Sequence, residues 1–361
     1  MITEAQISNF KGISSCSMGN TNLINVLIGK NNACKSTILE AMYYTLKEFT
    51  GPNLREALYR RTNMQMDGTH LWYNYDTRSP AATQLNFDRE VDLAMSLVFT
   101  GDGRSIHPVS SITAQGQRTE LPGSFYSLSM NISSQTGYGQ SQWAILRGRR
   151  EGIWNCLSNC QLLDSSTKSN VSSMERLLGL LKLRGMTDNM GIILNDIFSI
   201  GRSWEFMNPS EQNLSEFRAV TKLGNHIFYL DGLGDGMRYC IQIIGNMLLL
   251  NSTVIFIEEI ENNQHEGSLK KLIPAVVNLS IANNIQLFIT THNYQAWALL
   301  ETEFERNLKE KLGEENSRLQ SYVVRRNLQD GTVNCLRKTT ENADEFWGKT
   351  REELTDTPAP F

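Results

Sequence analysis

The stretch that most restricts the fold runs from Asn25 to Tyr44. Asn25-Val26-Leu27-Ile28 is a short apolar run, Gly29 to Cys34 is small and polar, and from Lys35 onward Ile38, Leu39, Met42 and Leu46 share one helical face. A buried strand feeding through a tight loop into an amphipathic helix is the opening of an α/β fold with parallel strands. The spacing from Gly29 to Lys35-Ser36 is the G-x-x-x-x-G-K-[ST] pattern with Cys34 in place of its second glycine. In that pattern the backbone N–H groups of the loop, here Gly29, Asn31, Asn32, Ala33, Cys34, Lys35, Ser36 and Thr37, wrap phosphate oxygens. The lysine reaches the outer phosphates, and the hydroxyl of Ser36 ligates Mg²⁺. A helix starting near Lys35 adds its unpaired N–H groups and the positive end of its dipole.

Downstream, Ser252 to Glu261 reads STVIFIEEIE, an apolar strand that ends in adjacent carboxylates. In nucleotide hydrolases one acid at that place holds Mg²⁺ and its neighbour takes the proton of the attacking water. Glu258 is assigned to the metal and Glu259 to the base. IQLFITTHN then repeats the design, with Thr290, Thr291 and His292 at the strand end. In an open α/β sheet ligands gather at the carboxyl ends of the strands, where Ile28, Glu258 and His292 are expected to converge. Between the cradle and the acidic strand, Leu233 to Arg238 form a second glycine-rich turn, LGDGMR, opening an apolar helix whose N–H groups suit an anion.

At 361 residues, 40% hydrophobic and 20% charged, the chain is long enough for one large or two modest domains. A formal net charge of −4 excludes a chain-wide electrostatic grip on nucleic acid and leaves only a local basic candidate, Arg147, Arg149 and Arg150. Six cysteines without a C-x-x-C pair suggest reduced thiols and a cytoplasmic chain, with Cys156 and Cys160 packed rather than metal-binding. A secretory leader and a membrane helix are not expected, since IIGNMLLL and similar runs fall short of a span. The pattern predicts two strands over 2–28 joined at Gly19-Asn20 and antiparallel strands over 51–165. It also predicts helices over 171–200 interrupted near Gly185, a hairpin turning at Asp330-Gly331, and a frayed end at TDTPAPF.

The order of these stretches resembles the ATP-binding-cassette ATPase heads of SMC, RecF and OLD proteins, most closely the OLD-like group labelled AAA15. The matching segments are ISNFKGI (7–13), NVLIGKNNACKSTILEAM (25–42), LGDGMR (233–238), IFIEEIENNQHEGSL (255–269) and LFITTHN (287–293). The resemblance implies an α/β P-loop NTPase head with a mostly parallel core sheet, an antiparallel β subdomain and a helical insertion. Its expected organisation is one head over 1–345, with 1–50 and 216–345 as nucleotide core, 51–165 as the β-rich insertion and 166–215 as the helical one, before a tail at 346–361. It further implies ATP and Mg²⁺ as cofactors, Lys11 reaching the nucleotide, and His292 sensing the γ-phosphate. Gly234, Asp235, Gly236 and Arg238 would act in trans on nucleotide held by another subunit, with Asn262 to His265 along that interface.

The implied assembly is a homodimer or higher homo-oligomer, with DNA as a further partner in the RecF and SMC manner. No heptads fill the long stretch between Thr37 and Leu233, so SMC-type arms do not fit, and no TOPRIM nuclease is expected after Asn293. A stand-alone head of this kind resembles the ATPase half of prokaryotic anti-phage defence systems, which hold a separate nuclease or toxin. Alternatives are a DNA-repair ATPase and a scaffold that no longer hydrolyses. Three departures from the family pattern stand out: Cys34 for glycine, Ile260 for proline, and Glu258 for aspartate. At a helix N-terminus beside Lys35, the Cys34 thiol is expected to be partly ionised.

Overall fold

A computed structural model describes residues 1–48, 71, 73–87, 91–99, 105–114, 117–121, 126–127, 159–164, 171–199, 204–207, 220–223, 226–229, 232–311, 319–339 and 341–354. The chain divides into two compact units, Met1–Leu162 with Arg318–Phe361, and Leu163–Ser317.

The first unit is built on a sheet. Three strands open it, β1 (Ile2–Phe10), β2 (Ile13–Gly19) and β3 (Ile24–Ile28), followed by helix α1 (Lys35–Glu48). Where the sequence pattern predicted two strands and one turn, the chain also reverses at Lys11-Gly12, because Lys11 adopts φ +49° and β1 and β2 pair antiparallel with Phe10 opposite Ile13. The second turn is tied by Asn25, whose side chain accepts from Asn22 N–H and donates to the Asn22 carbonyl. β4 (Ala81–Phe87), β5 (Val91–Phe99), β6 (Ser105–Ala114), β7 (Gln117–Leu121) and the short β8 (Tyr126–Ser127) extend the sheet. Their pairing is antiparallel, as the alternating sequence predicted, and β4 pairs directly with β1. β9 (Gln161–Leu163) spans the boundary between the units.

From the C-terminal part come β15 (Leu319–Arg326) and β16 (Thr332–Arg337), a hairpin whose turn uses Gly331 at φ +73°. The strand order is β7-β6-β5-β4-β1-β2-β16-β15-β3. Parallel pairing in this unit is confined, among the described residues, to β16 with β2 and β15 with β3. The four α1 residues predicted to face inward, Ile38, Leu39, Met42 and Leu46, are all fully buried, each stabilising the fold by about 1.5–3 kcal/mol. The segment expected to be tail instead begins as helix α7 (Ala343–Leu354), because Phe346 and Thr350 are fully buried and the Arg325 guanidinium donates to the Lys349 carbonyl. TDTPAPF lies outside the described residues.

The second unit contains α2 (Val171–Leu183) and α3 (Thr187–Phe198), separated at Gly185 as predicted, and a small antiparallel sheet of β10 (Trp204–Met207), β11 (Val220–Leu223) and β12 (His226–Tyr229). Helix α4 (Asp235–Leu249) leads to β13 (Val254–Ile257), then α5 (Glu266–Asn283), β14 (Gln286–Thr291) and α6 (Tyr294–Lys311). β13 and β14 pair in parallel and are buried throughout, with Phe256 and Phe288 stacked at 5.4 Å. Two parallel apolar strands joined by a helix form a βαβ unit. Among the described residues no helix is long and apolar enough to cross a membrane.

Candidate functional site

In the first unit, β3 is buried on every residue and stops at Ile28, which frees the next residues to form the loop. Gly29 is demanded by space: a Cβ there would lie 2.5 Å from the Val324 carbonyl oxygen of β15. Lys35, only 6% exposed, folds back over the loop and donates to the carbonyls of Gly29 at 2.6 Å and Lys30 at 2.8 Å. A buried ammonium held by two carbonyl dipoles is positioned where an arriving phosphate can take it over. Asn31, Asn32 and Ala33 complete the loop, with Asn32 at φ +69°, and Ser36 and Thr37 occupy the first turn of α1.

Cys34 takes φ +68°, the left-handed conformation in which glycine is at ease and an L residue is strained. Its sulfur lies 3.5 Å from the Gly12 carbonyl oxygen. The expected partial ionisation is not what the surroundings favour. Burial is the largest influence and pushes the thiol up; Arg326 and then Lys35 pull it down by less, while Cys16 adds to the rise. Lys11 is likewise engaged elsewhere than expected, donating to Glu40 of α1 at 2.6 Å and lying over the rings of Phe10 and Tyr44. Glu40 is 2% exposed, so this is an ion pair under cover, which favours its persistence.

In the second unit, α4 starts at Gly234, and Asp235 pairs with Arg238 one turn on. Gly236 is demanded by contact with the turn after β13: a Cβ would stand 2.2 Å from the Asn263 carbonyl oxygen, and Gln264 donates to the Gly236 carbonyl at 2.8 Å. The glycine-rich turn and Asn262 to His265 therefore touch within one chain. His265 caps α5 by accepting from Gly267 N–H.

The end of β13 is held from several sides. Glu258 N–H donates to the Leu163 carbonyl and its own carbonyl accepts from the Tyr239 hydroxyl at 2.6 Å. Glu259 adopts φ +50° and donates its N–H to Thr290 Oγ1 at 2.9 Å, which ties the base candidate to the end of β14. His292 Nδ1 lies 3.6 Å from Glu259 Oε1 and 3.3 Å from Glu261 Oε1.

Glu261 is the residue that sequence reasoning missed. Its carboxylate accepts from Thr291 Oγ1 at 2.8 Å and from His292 N–H at 2.9 Å, and only 7% of the side chain is exposed. Burial raises its pKa from the ordinary carboxylate value despite those hydrogen bonds and the nearby imidazole. The signal was present in EEIE, whose third acid lies two residues past the assigned base. Tyr239 is a second omission; burial and the surrounding carboxylates push its phenol well above the ordinary value, so it donates to the Glu258 carbonyl as the neutral hydroxyl. Arg147, Arg149, Arg150 and Cys156 lie outside the described residues.

The first unit thus holds a strand–loop–helix cradle gripping its own lysine, and the second a parallel strand ending in carboxylates beside a histidine, the features expected of a P-loop ATPase head. The AAA_15 family profile ("AAA ATPase domain") matches residues 1–96, and the AAA_21 profile ("AAA domain, putative AbiEii toxin, Type IV TA system") matches residues 174–296. An ATP/GTP phosphatase of Helicobacter pylori is 20% identical over 331 residues, covering 83% of this chain and 88% of its own. Among solved structures, an Smc head bound to the C-terminal winged-helix domain of ScpA covers 95% of this chain and 99% of its own, with a TM-score of 0.51 at 9% identity. An Smc head with an extended coiled coil, bound to the C-terminal domain of ScpA derived from Pyrococcus furiosus, covers 97% and 99% with a TM-score of 0.50 at 9% identity. The findings fit an AAA15, ABC-type ATPase head with an Smc-head-like α/β fold and a large mixed sheet. They support an ATP-binding ATPase.

Proposed function

We propose that the protein is an ATP-driven switch in which nucleotide closes a homodimer or higher homo-oligomer, and the closed assembly holds or releases a separate effector protein, a nuclease or toxin, in anti-phage defence. The observation that carries the reading is the grip of Lys35 on the Gly29 and Lys30 carbonyls at the mouth of a buried strand. On binding, ATP would draw that ammonium onto its phosphates, and the loop N–H groups from Gly29 to Thr37 would follow. Mg²⁺ would be held by the Ser36 hydroxyl and the Glu258 carboxylate. Among the described residues no cluster of three or more His, Cys, Asp or Glu could hold a metal ion. Mg²⁺ keeps several waters and relies on substrate phosphates rather than a protein cage.

Glu259 would take the proton of the attacking water, with its backbone steadied by Thr290, and His292 would report the γ-phosphate. Gly234, Asp235, Gly236 and Arg238 would press on nucleotide bound by a second copy. Their contact with Asn263 and Gln264 supports one moving surface, because displacing the acidic turn displaces the helix start with it. The deciding experiment is ATP turnover together with solution mass, with and without Mg-ATP, for wild type, Lys35→Ala and Glu259→Gln. Hydrolysis by wild type with ATP-dependent assembly of Glu259→Gln is expected. Equal turnover in all three would overturn the site, and ATP-dependent, salt-sensitive capture of DNA would replace the effector by nucleic acid.

A further inference from the structure

Arg326 ends β15, the strand that lies parallel to β3 with Val323 opposite Ile28. Parallel neighbours finish on the same side of the sheet, so Arg326 emerges where the phosphate loop begins. The approach is close, since a Cβ on Gly29 would stand 2.5 Å from the oxygen of Val324, two residues before Arg326. The turn between β1 and β2 forms another wall. A Cβ on Gly12 would lie 3.1 Å from Cys34 Sγ and 3.7 Å from both Cζ and Nη1 of Arg326. The absent side chain of Gly12 thus leaves room for the sulfur of Cys34, and the guanidinium lies at ordinary contact distance from the same corner of the cradle.

Two further observations give that guanidinium a task. Arg326 Nε is buried with no hydrogen-bond partner among the described residues, an arrangement that favours an acceptor brought by a ligand. Its charge also acts on Cys34, the residue that stands in the loop itself. Lys11, by contrast, faces Glu40. We infer that Arg326 is a phosphate-binding residue of this cradle, its guanidinium taking oxygens of a nucleoside di- or triphosphate beside Cys34. The inference rests on the loop from Gly29 to Thr37 being the nucleotide site. A planar fork is suited to two phosphate oxygens at once, which a lysine at the same place could not match.

The test measures equilibrium binding of ATP, ADP and AMP to the full chain for wild type, Arg326→Gln, Arg326→Lys and Lys35→Ala, with thermal melting alongside. Arg326→Gln is expected to weaken ATP and ADP by at least about tenfold, the effect of one lost charge-assisted hydrogen bond. Because AMP offers fewer phosphate oxygens, its binding should fall less, so the preference for ATP over AMP narrows. Arg326→Lys should fall between Gln and wild type. ATP affinity within twofold of wild type at an unchanged melting temperature would overturn the inference, as would an equal loss for ATP and AMP, which marks a structural role. If Arg326→Gln does not fold, Arg326→Met keeps the apolar stem without the charge and is read by the same criteria. Loss in Lys35→Ala with none in Arg326→Gln rejects Arg326 alone, whereas ATP binding unaffected in both, or absent from wild type, rejects the site.

Discussion

The loop after β3 and the loop after β13 each follow a strand buried on every residue, yet they are made of opposite chemistry. The first presents an ammonium, a helix N-terminus and a row of backbone N–H groups. The second presents Glu258, Glu259 and Glu261, with His292 facing two of them. Burial decides where each loop starts, because the apolar run must end before polar groups can turn. Charge then decides what each can meet: the first is a set of donors for an anion, the second a set of acceptors for a cation and a water. Both also hold strained backbone, at Asn32 and Cys34 in one and at Glu259 and Asn263 in the other, as expected where surrounding contacts fix a functional turn.

The comparison breaks most visibly in kinetics. Glu259→Gln should lower ATP turnover by about 10²–10⁴-fold, the range for loss of a general base, while leaving ATP affinity near wild type. Lys35→Ala should differ by weakening ATP binding about 10–100-fold as a charged hydrogen-bond donor is lost, with turnover falling as well. Isothermal titration beside a phosphate-release assay separates the two, and an equal change in ATP affinity for both variants would dissolve the division of labour.

A smaller effect probes the glycines that bring each loop against its neighbour. Gly236→Ala would force a Cβ to 2.2 Å from a backbone oxygen and Gly29→Ala to 2.5 Å. Each should cost about 1–3 kcal/mol of stability, seen as a lower denaturation midpoint, since backbone cannot step aside as a flexible side chain does. The corner shared by Gly12 and Cys34 offers a subtler case. Gly12→Ala should destabilise the wild type and become nearly neutral in a Cys34→Gly background, a coupling of about 1 kcal/mol in a double-mutant cycle. Strict additivity would mean that the sulfur and Gly12 do not compete for one space.

The smallest effect is in pH dependence. Burial raises the pKa of Glu261, so the native state binds this proton more tightly than the unfolded chain does. Its contribution is fully present below the ordinary value of 4.5 and is lost as pH rises from there through the raised native value. Glu261→Gln should remove that decline from the stability profile measured by urea unfolding. An unchanged profile would show that His292 and the hydrogen bonds already offset the burial.

How much of this is legible in the sequence differs by element. The α1 face, the antiparallel run from β4 to β7, the break at Gly185 and the hairpin at Gly331 follow from periodicity and turn chemistry, which act between residues close in the chain. The turn at Lys11-Gly12 does not follow from the sequence pattern, because a lysine in the left-handed region has no local signature. The α7 helix has no such signature, because the burial of Phe346 is granted by partners distant in sequence.

The two loops show the same boundary from both sides. Sequence alone determined that a small polar loop would follow Ile28, that carboxylates would follow Ile257 and that a lysine and a histidine would stand at strand ends, since strand hydropathy and motif spacing are properties of the chain. Tertiary structure alone decided that Cys34 would be a neutral thiol turned toward Gly12, that Lys11 would answer Glu40, that Glu261 would join His292, and that Arg326 would end beside the cradle. Each of those outcomes depends on how far water is excluded and which charges arrive from elsewhere in the chain, and no spacing along the sequence encodes a distance in space.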